Sequence, residues 1–350
     1  MSNKWQLRRA QLRIDLDALR HNLQQAKKAA PKSKVMAVIK ADAYGHGMLK
    51  VAQALTDADG FAVATISEGL ALREAGISKT VLILQGASNP QELQQAAEQQ
   101  LTLSVHHGSQ LEILQRYNSE PPPLWLKLDT GMHRLGFPSE RAGGIINQLG
   151  DRVSGMMMHF ANADDPENPT NQQQLDAFRQ ATDTLGLPRS AANSAAVLKM
   201  PEAHFDWVRP GIMLYGASPL LNVSAEEFNL KPVMTLTAPL VAINAYKKGE
   251  AVGYGGDYTC PEDMLIAVIA IGYGDGYPRH APSGTPVLIN AVECPLAGRV
   301  SMDMLTVDCR NSSDAKVGDD CVLWGKGLPV DRVAEKAETI SYELLCAAGD

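Results

Sequence analysis

The features this 350-residue sequence lacks narrow its class considerably. It has five cysteines, Cys260, Cys294, Cys309, Cys321 and Cys346, and no two form a C-x-x-C pair. That spacing argues against a zinc knuckle or a disulfide framework. No window approaches the ~18 consecutive apolar residues of a membrane-spanning helix. Met1 to Arg13 is polar and lacks the apolar stretch of a secretory signal. Basic residues number 32 against 39 acidic ones, a formal charge of −7, which argues against nucleic acid or an anionic membrane as the main partner. There is no G-x-G-x-x-G after an early strand, the usual sign of a doubly wound dinucleotide-binding sheet. Internal repeats and low-complexity linkers are missing too. What remains is expected to be a soluble, cytoplasmic protein.

With 45% apolar residues the chain can bury a large core. Short β-rich runs recur at Val35–Ile39, Phe61–Ala64, Val81–Leu84, Leu101–Val105, Leu124–Leu128, Gly155–His159, Ser190–Asn193 and Trp207–Leu214. Helical stretches lie between them. Asp15–Ala30 places Leu16, Leu19, Leu23 and Ala26 on one face. Ser67 precedes Glu68–Ala75, Ser139 is expected to cap Glu140–Leu149, and Asn171–Leu185 ends at Gly186 and Pro188. About eight strand–helix alternations predict an α/β fold whose N-terminal part is a (β/α)8 TIM barrel, over residues 14–231. From residue 232 the runs Val233–Ala245, Met264–Ile271, Thr285–Ala291, Met304–Cys309 and Asp320–Trp324 are separated by Gly, Pro and Asp clusters and predict a C-terminal mostly-β domain. Residues 1–13 are expected to pack with that domain.

Catalytic groups of a barrel sit just past the C-terminal ends of its strands. Those ends hold Lys40 before Ala-Asp-Ala-Tyr44-Gly-His-Gly, Lys127 leading to Arg134, His159, Asn193-Ser194, and Arg209-Pro-Gly211-Ile212. Lys40 ends an apolar run. It is either a snorkelling strand-end lysine or an amine whose desolvation fits it for Schiff-base chemistry. Asn193-Ser194 reads as a helix cap and Gly211 as a turn. Together with Gly211-Ile212, after the last two strands, they can equally form a phosphate site. A Schiff-base lysine beside such a site describes a phosphate-bearing aldehyde, and pyridoxal 5′-phosphate fits both halves.

Val38-Ile-Lys40-Ala-Asp-Ala-Tyr44-Gly-His-Gly47 resembles the cofactor-lysine signature of alanine racemases. Leu128-Asp-Thr-Gly-Met-His-Arg134-Leu-Gly, Met158-His159-Phe-Ala, Asn193-Ser194-Ala and Arg209-Pro-Gly-Ile-Met-Leu-Tyr-Gly216 follow in the family's order. So do Gly253-Tyr254-Gly, Ile271-Gly-Tyr273-Gly-Asp-Gly-Tyr-Pro-Arg279, Gly298-Arg299-Val-Ser-Met302-Asp303 and Ser341-Tyr342-Glu. The resemblance runs from about Ile14 to Glu343 and implies a racemase of L- and D-alanine that supplies D-alanine for peptidoglycan. By resemblance, Lys40 holds the cofactor and serves as the base for D-alanine. Tyr254, reaching the site from the partner subunit of a homodimer, serves L-alanine. Removal and return of the α-proton must occur on opposite faces, so two bases are needed. A His159–Arg209 chain beside Tyr254 would favour its phenolate. Arg209 matches the position facing the pyridine nitrogen, which an arginine leaves unprotonated.

Tyr44, Ser194, Gly211, Ile212 and Tyr342 match the family's phosphate contacts, and Asn193 goes with them. Arg134 and Met302 match positions that meet the substrate carboxylate, Met302 being supplied, like Tyr254, from the partner subunit. Lys127 corresponds to a lysine carbamylated in some relatives, and a plain ion-paired lysine is the other reading. Tyr273, Arg279, Arg299 and Asp303 resemble the entrance corridor. No metal is expected. The resemblance also implies a tail running somewhat further past Tyr342 than this sequence does, with none of the motif residues in it. Two rival readings are a basic-amino-acid decarboxylase of the same plan and a barrel-only carrier of the cofactor. Arg209 and Tyr254 speak against the first, the extra β domain against the second. A racemase of another small amino acid stays open.

Overall fold

A parallel sheet covered on both faces needs strands that are apolar throughout rather than alternating. The first half of the chain supplies them. In this computed structural model, which describes residues 10–349, a short strand β1 (Gln11–Ile14) precedes β2 (Lys34–Val38), β3 (Gly60–Val63), β4 (Thr80–Ile83), β5 (Thr102–Val105) and β6 (Leu124–Asp129). A two-residue strand β7 (Phe137–Pro138) lies beside β6, followed by β8 (Val153–Met157), β9 (Arg189–Ser190) and β10 (Trp207–Val208). Eight of these pair in the order β10-β2-β3-β4-β5-β6-β8-β9, all parallel. The two ends of that order meet through backbone bonds from Asp206 N–H to the Arg189 carbonyl (3.1 Å) and from Arg209 N–H to the Ala192 carbonyl (2.9 Å). Every residue of β3 and β5 is buried, as are five of the six in β6. This is the (β/α)8 barrel that the alternation predicted.

Helix Leu16–Ala29 buries Leu19, Leu23 and Ala26, the face given by the 3–4 spacing. Three local expectations need correction. The helix expected at Glu68–Ala75 runs from Ile66 to Glu74 and so includes Ser67, because Thr65 and Glu68 form a reciprocal capping box that starts it earlier. Ser139 caps nothing; it opens a 3-10 turn, Ser139–Arg141, that runs into helix Ala142–Leu149 without a side-chain cap. The run Trp207–Leu214 is a strand for only two residues, since Pro210 has no N–H and the chain then folds into a 3-10 turn at Ile212–Tyr215.

The second unit comprises residues 10–18, 44–47 and 231–349 among those described. Its strands are β11 (Met234–Tyr246), a small ribbon of β12 (Ala251–Val252) and β13 (Tyr258–Thr259), β14 (Met264–Ile269), β15 (Pro286–Ile289), β16 (Val292–Pro295), β17 (Leu305–Asp308) and β18 (Asp320–Trp324). The main sheet runs β16-β15-β18-β11-β14-β17 and is antiparallel. The long strand β11 pairs with β18 and β1 in its first half, then shifts register between Leu240 and Ala242 to pair with β14. So residues 11–14 are a strand of this sheet, while residues 1–9 of the N-terminal segment lie outside the described residues. Tyr277 stacks on Trp324 in its core, with ring centroids 5.9 Å apart. Two helices, Val330–Lys336 and Ser341–Gly349, were not foreseen, because seven and nine residues show too few turns for a periodic pattern. No disulfide joins the described cysteines, and no described helix is long and apolar enough to cross a membrane.

Candidate active site

Strand β2 carries Lys40 to the C-terminal rim of the barrel, and pairing persists to Ile39, whose N–H meets the Ala62 carbonyl at 2.9 Å. The next four residues, Ala41, Asp42, Ala43 and Tyr44, have φ of +51°, +48°, +56° and +54°, and Gly45 follows at +78°. This is a left-handed turn built mostly from residues with a Cβ. Each such residue costs roughly 1–2 kcal/mol, so the four cost roughly 4–8 kcal/mol. Bonds hold it: Ala41 N–H to Glu68 Oε1 (2.8 Å), Ala43 N–H to the Ile39 carbonyl (3.0 Å) and Met48 N–H to Asp42 Oδ1 (2.7 Å). Gly45 is obligatory, since a Cβ there would sit 2.3 Å from the Leu345 carbonyl oxygen. Backbone strain of this kind clusters at functional sites in proteins generally. The sequence showed a turn here; its handedness had no signal.

Around the same rim the barrel gathers positive charge. Lys127, in the middle of the buried strand β6, is 7% exposed. Among the described residues its amine has neither a hydrogen bond nor a salt bridge, and Asp129 is the charge that favours its protonated form. Burial, then the charges of Arg209, Arg134 and Lys40, push its pKa down to about 8. Arg209 is 4% exposed and donates to Ser190 Oγ (2.5 Å), the Met158 carbonyl (2.6 Å), the Ala191 carbonyl (3.3 Å) and His159 Nδ1 (3.4 Å). Burial lowers its pKa to about 10, which leaves it protonated at neutral pH. Because a guanidinium only donates, His159 Nδ1 accepts and the ring proton sits on Nε2. His159 is neutral: burial first, then Arg209, Lys127, Arg134 and Lys40, hold its pKa well below the ordinary value. The positive charge of the His159–Arg209 pair therefore resides on Arg209. The loop to Arg134 is shaped by Asp129, whose Oδ1 accepts N–H bonds from Gly131, Met132 and His133 at 3.0, 3.1 and 3.0 Å.

Past the last two barrel strands, Ser194 is buried and its Oγ accepts from Gly211 N–H at 2.8 Å and Met213 N–H at 3.4 Å. Its own hydroxyl proton remains as a donor. Asn193 caps helix Ser194–Lys199 through Oδ1 and Ala196 N–H (3.1 Å), and Ile212 opens the buried 3-10 turn.

In the second unit, Tyr44 is buried and its ring lies 5.8 Å from that of Tyr342, centroid to centroid. Burial, with Tyr342 and Cys346 beside it, raises the Tyr44 pKa far enough that the phenol stays protonated. Tyr254 stands 68% exposed on a turn whose neighbours Gly253, Gly255 and Gly256 all take positive φ. Arg299 lies against that turn and is held by two bonds to Asp257. The loop of Tyr273 is strapped to that of Met302 by Tyr273 N–H to the Ser301 carbonyl (3.1 Å) and Gly274 N–H to the Met302 carbonyl (2.9 Å). Tyr273, Met302, Asp303 and Arg279 are all exposed.

Two further polar residues on the barrel rim escaped sequence reasoning. Glu68 reaches from its capping box to the turn after Lys40. His106, one residue past β5, donates from Nε2 to the Gln85 carbonyl (2.9 Å), leaving a buried Nδ1 without a hydrogen bond, near enough to Lys127 to feel its charge. The strand-end rule that picked out Lys40 could have found His106; nothing in the sequence pointed from Glu68 to Ala41.

The family model "Alanine racemase, N-terminal domain" matches residues 14–219 and "Alanine racemase, C-terminal domain" matches residues 233–350. Relatives described as alanine racemase include one from Nitrosococcus oceani, 52% identical over 339 residues and 95% of either chain. Another, from Coxiella burnetii, is 48% identical over 351 residues, covering 97% of this chain and 96% of that one. The crystal structure of the biosynthetic alanine racemase from Pseudomonas aeruginosa is 45% identical and superposes with a TM-score of 0.94 over 97% of both chains. By two family models and by identity along almost its full length, the chain belongs to the alanine racemase family.

Proposed function

We propose that the chain interconverts L-alanine and D-alanine with pyridoxal 5′-phosphate held at Lys40, working as a homodimer whose sites are completed across subunits. The observation that carries this is the gathering of Lys40, Lys127, Arg134 and Arg209 at one end of the barrel, with His159 neutral among them. Cations at such density call for anionic ligands. The barrel's donor set fits a phosphate-bearing aldehyde: a lysine amine, the Ser194 hydroxyl and a guanidinium. By the family motif, Tyr44, Asn193, Ser194, Gly211, Ile212 and Tyr342 would hold its phosphate end, and Arg209 would face the ring nitrogen. The carboxylate of alanine would meet Arg134 and Met302. Arg279, Arg299, Asp303 and Tyr273 would line the approach.

When bound, the cofactor supplies an electron-withdrawing ring that makes the α-proton of the amino acid removable. The chain's own groups decide where that proton goes. Lys40 Nζ takes or returns it on one face, Tyr254 Oη of the partner subunit on the other, and the configuration inverts. His159 Nε2–H is the donor able to hold the Tyr254 oxygen, with its tautomer fixed by Arg209 behind it. A decarboxylase of the same plan would set a carboxylate against the ring nitrogen; Arg209 in that place cannot pass it a proton, which disfavours the decarboxylase reading. The cellular role that follows is supply of D-alanine for peptidoglycan.

The test loads purified protein with pyridoxal 5′-phosphate, fixes it with borohydride, maps the labelled peptide, and follows D-alanine formation from L-alanine. Label on Lys40 together with D-alanine is the expected result. D-alanine formation by Lys40→Ala at the parent rate would overturn it.

A further inference from the structure

We infer that Glu68 is a positioning residue for Lys40, holding the first residue of the left-handed turn so that the lysine leaves β2 in one fixed direction; this rests on Lys40 being the cofactor lysine. The two oxygens of the Glu68 carboxylate have separate tasks. Oε2 accepts from Ala64 N–H (2.7 Å) and Thr65 N–H (3.0 Å), which closes the capping box of helix Ile66–Glu74. Oε1 is not needed for that box. It accepts instead from Ala41 N–H, at 2.8 Å, across the gap between two barrel strands.

Ala41 is where the backbone first turns to positive φ, at +51°, directly after Lys40. A left-handed run of residues with a Cβ persists only if its surroundings over-determine it. The far end of the run is tied by Asp42 to Met48 N–H, and Ala43 N–H is tied back to Ile39. On the side where the turn begins, it is the Glu68 carboxylate that takes Ala41 N–H. An ionised acceptor makes a stronger bond to an amide than a neutral one does. Helix Ile66–Glu74, capped at its first turn, thus becomes a rigid post for the lysine of the neighbouring strand.

The geometry separates two variants that a purely structural role would not. Glu68→Gln keeps shape and one acceptor oxygen, enough for the cap, but turns an amide N–H₂ towards Ala41 N–H. Thr65→Ala weakens the cap and leaves the Ala41 bond alone. Amide hydrogen exchange of residues 40–43 is measured on the cofactor-free protein, and kcat and KM for alanine on the loaded one. For Glu68→Gln we expect exchange faster by about tenfold, kcat lower by about tenfold or more, and KM within about twofold, since small misplacements of a reacting group cost rate rather than affinity. Thr65→Ala should leave both within about twofold of the parent. Faster exchange without the fall in kcat overturns the proposal, as does the fall without faster exchange or an equal fall in Thr65→Ala. A Lys40→Ala control separates the two ideas: if that variant racemises, the role of Lys40 fails, while the exchange result still reports on the Glu68–Ala41 bond.

Discussion

A single side chain, Lys127, shows how far the barrel rim departs from ordinary protein electrostatics. Its amine loses a proton at about 8 in the folded chain against 10.5 ordinarily, so the unfolded chain binds more protons between those values. Stability should therefore rise with pH through that window, and below it the buried charge is a standing cost. Lys127→Met is expected to stabilise the cofactor-free protein at pH 7 by about 2–3 kcal/mol, with the gain shrinking towards pH 10. Urea unfolding at pH 7 and pH 9.5 checks this; a gain independent of pH would mean that packing, not charge, explains it. At this scale the sequence was partly legible. Lys40 and Lys127 stand out as lysines closing or interrupting apolar runs. The neutral state of His159 did not, because it depends on burial and on four cations from separate strands and loops.

Among the elements, the turn from Ala41 to Gly45 is the most constrained. Gly45→Ala would add a Cβ 2.3 Å from the Leu345 carbonyl oxygen at a φ of +78°. A loss of roughly 2–4 kcal/mol is expected, measurable as a lower urea midpoint. An unchanged midpoint would mean that helix Ser341–Gly349 yields to make room. The eight barrel strands were readable because doubly covered strands are apolar end to end. Their ends and caps were less so: a serine next to a helix signals a cap, yet Thr65 and not Ser67 does the capping, since only Thr65 sits three residues before Glu68. The C-terminal helices were hidden by their brevity, and the left-handed turn by the ordinary look of Ala-Asp-Ala-Tyr, which carries no residue that demands positive φ before Gly45.

For the molecule as a whole, the proposed exchange of Tyr254 and Met302 between subunits makes the two halves of one site come from two chains. The 68% exposure of Tyr254 and 55% of Met302 fit side chains offered to a partner. Mixing unfolded-and-refolded Lys40→Ala and Tyr254→Phe chains should restore about a quarter of parental activity, as half of the dimers are mixed and each carries one intact site. No recovery at any mixing ratio would show that each site is built within one chain. The barrel and the β domain were both visible in the rhythm of the sequence, strands alternating with helices and then strands separated by turns. The net charge of −7 spread over the whole chain gave no hint that one end of the barrel concentrates cations. That concentration has a practical side. Four cations at the mouth of the barrel will draw small oxyanions from the medium, and anything that binds only the folded form stabilises it by mass action. Protein stored without cofactor in phosphate should therefore melt at a higher temperature than in a zwitterionic buffer of the same pH, and should reload with pyridoxal 5′-phosphate more slowly, because phosphate competes for the same cations.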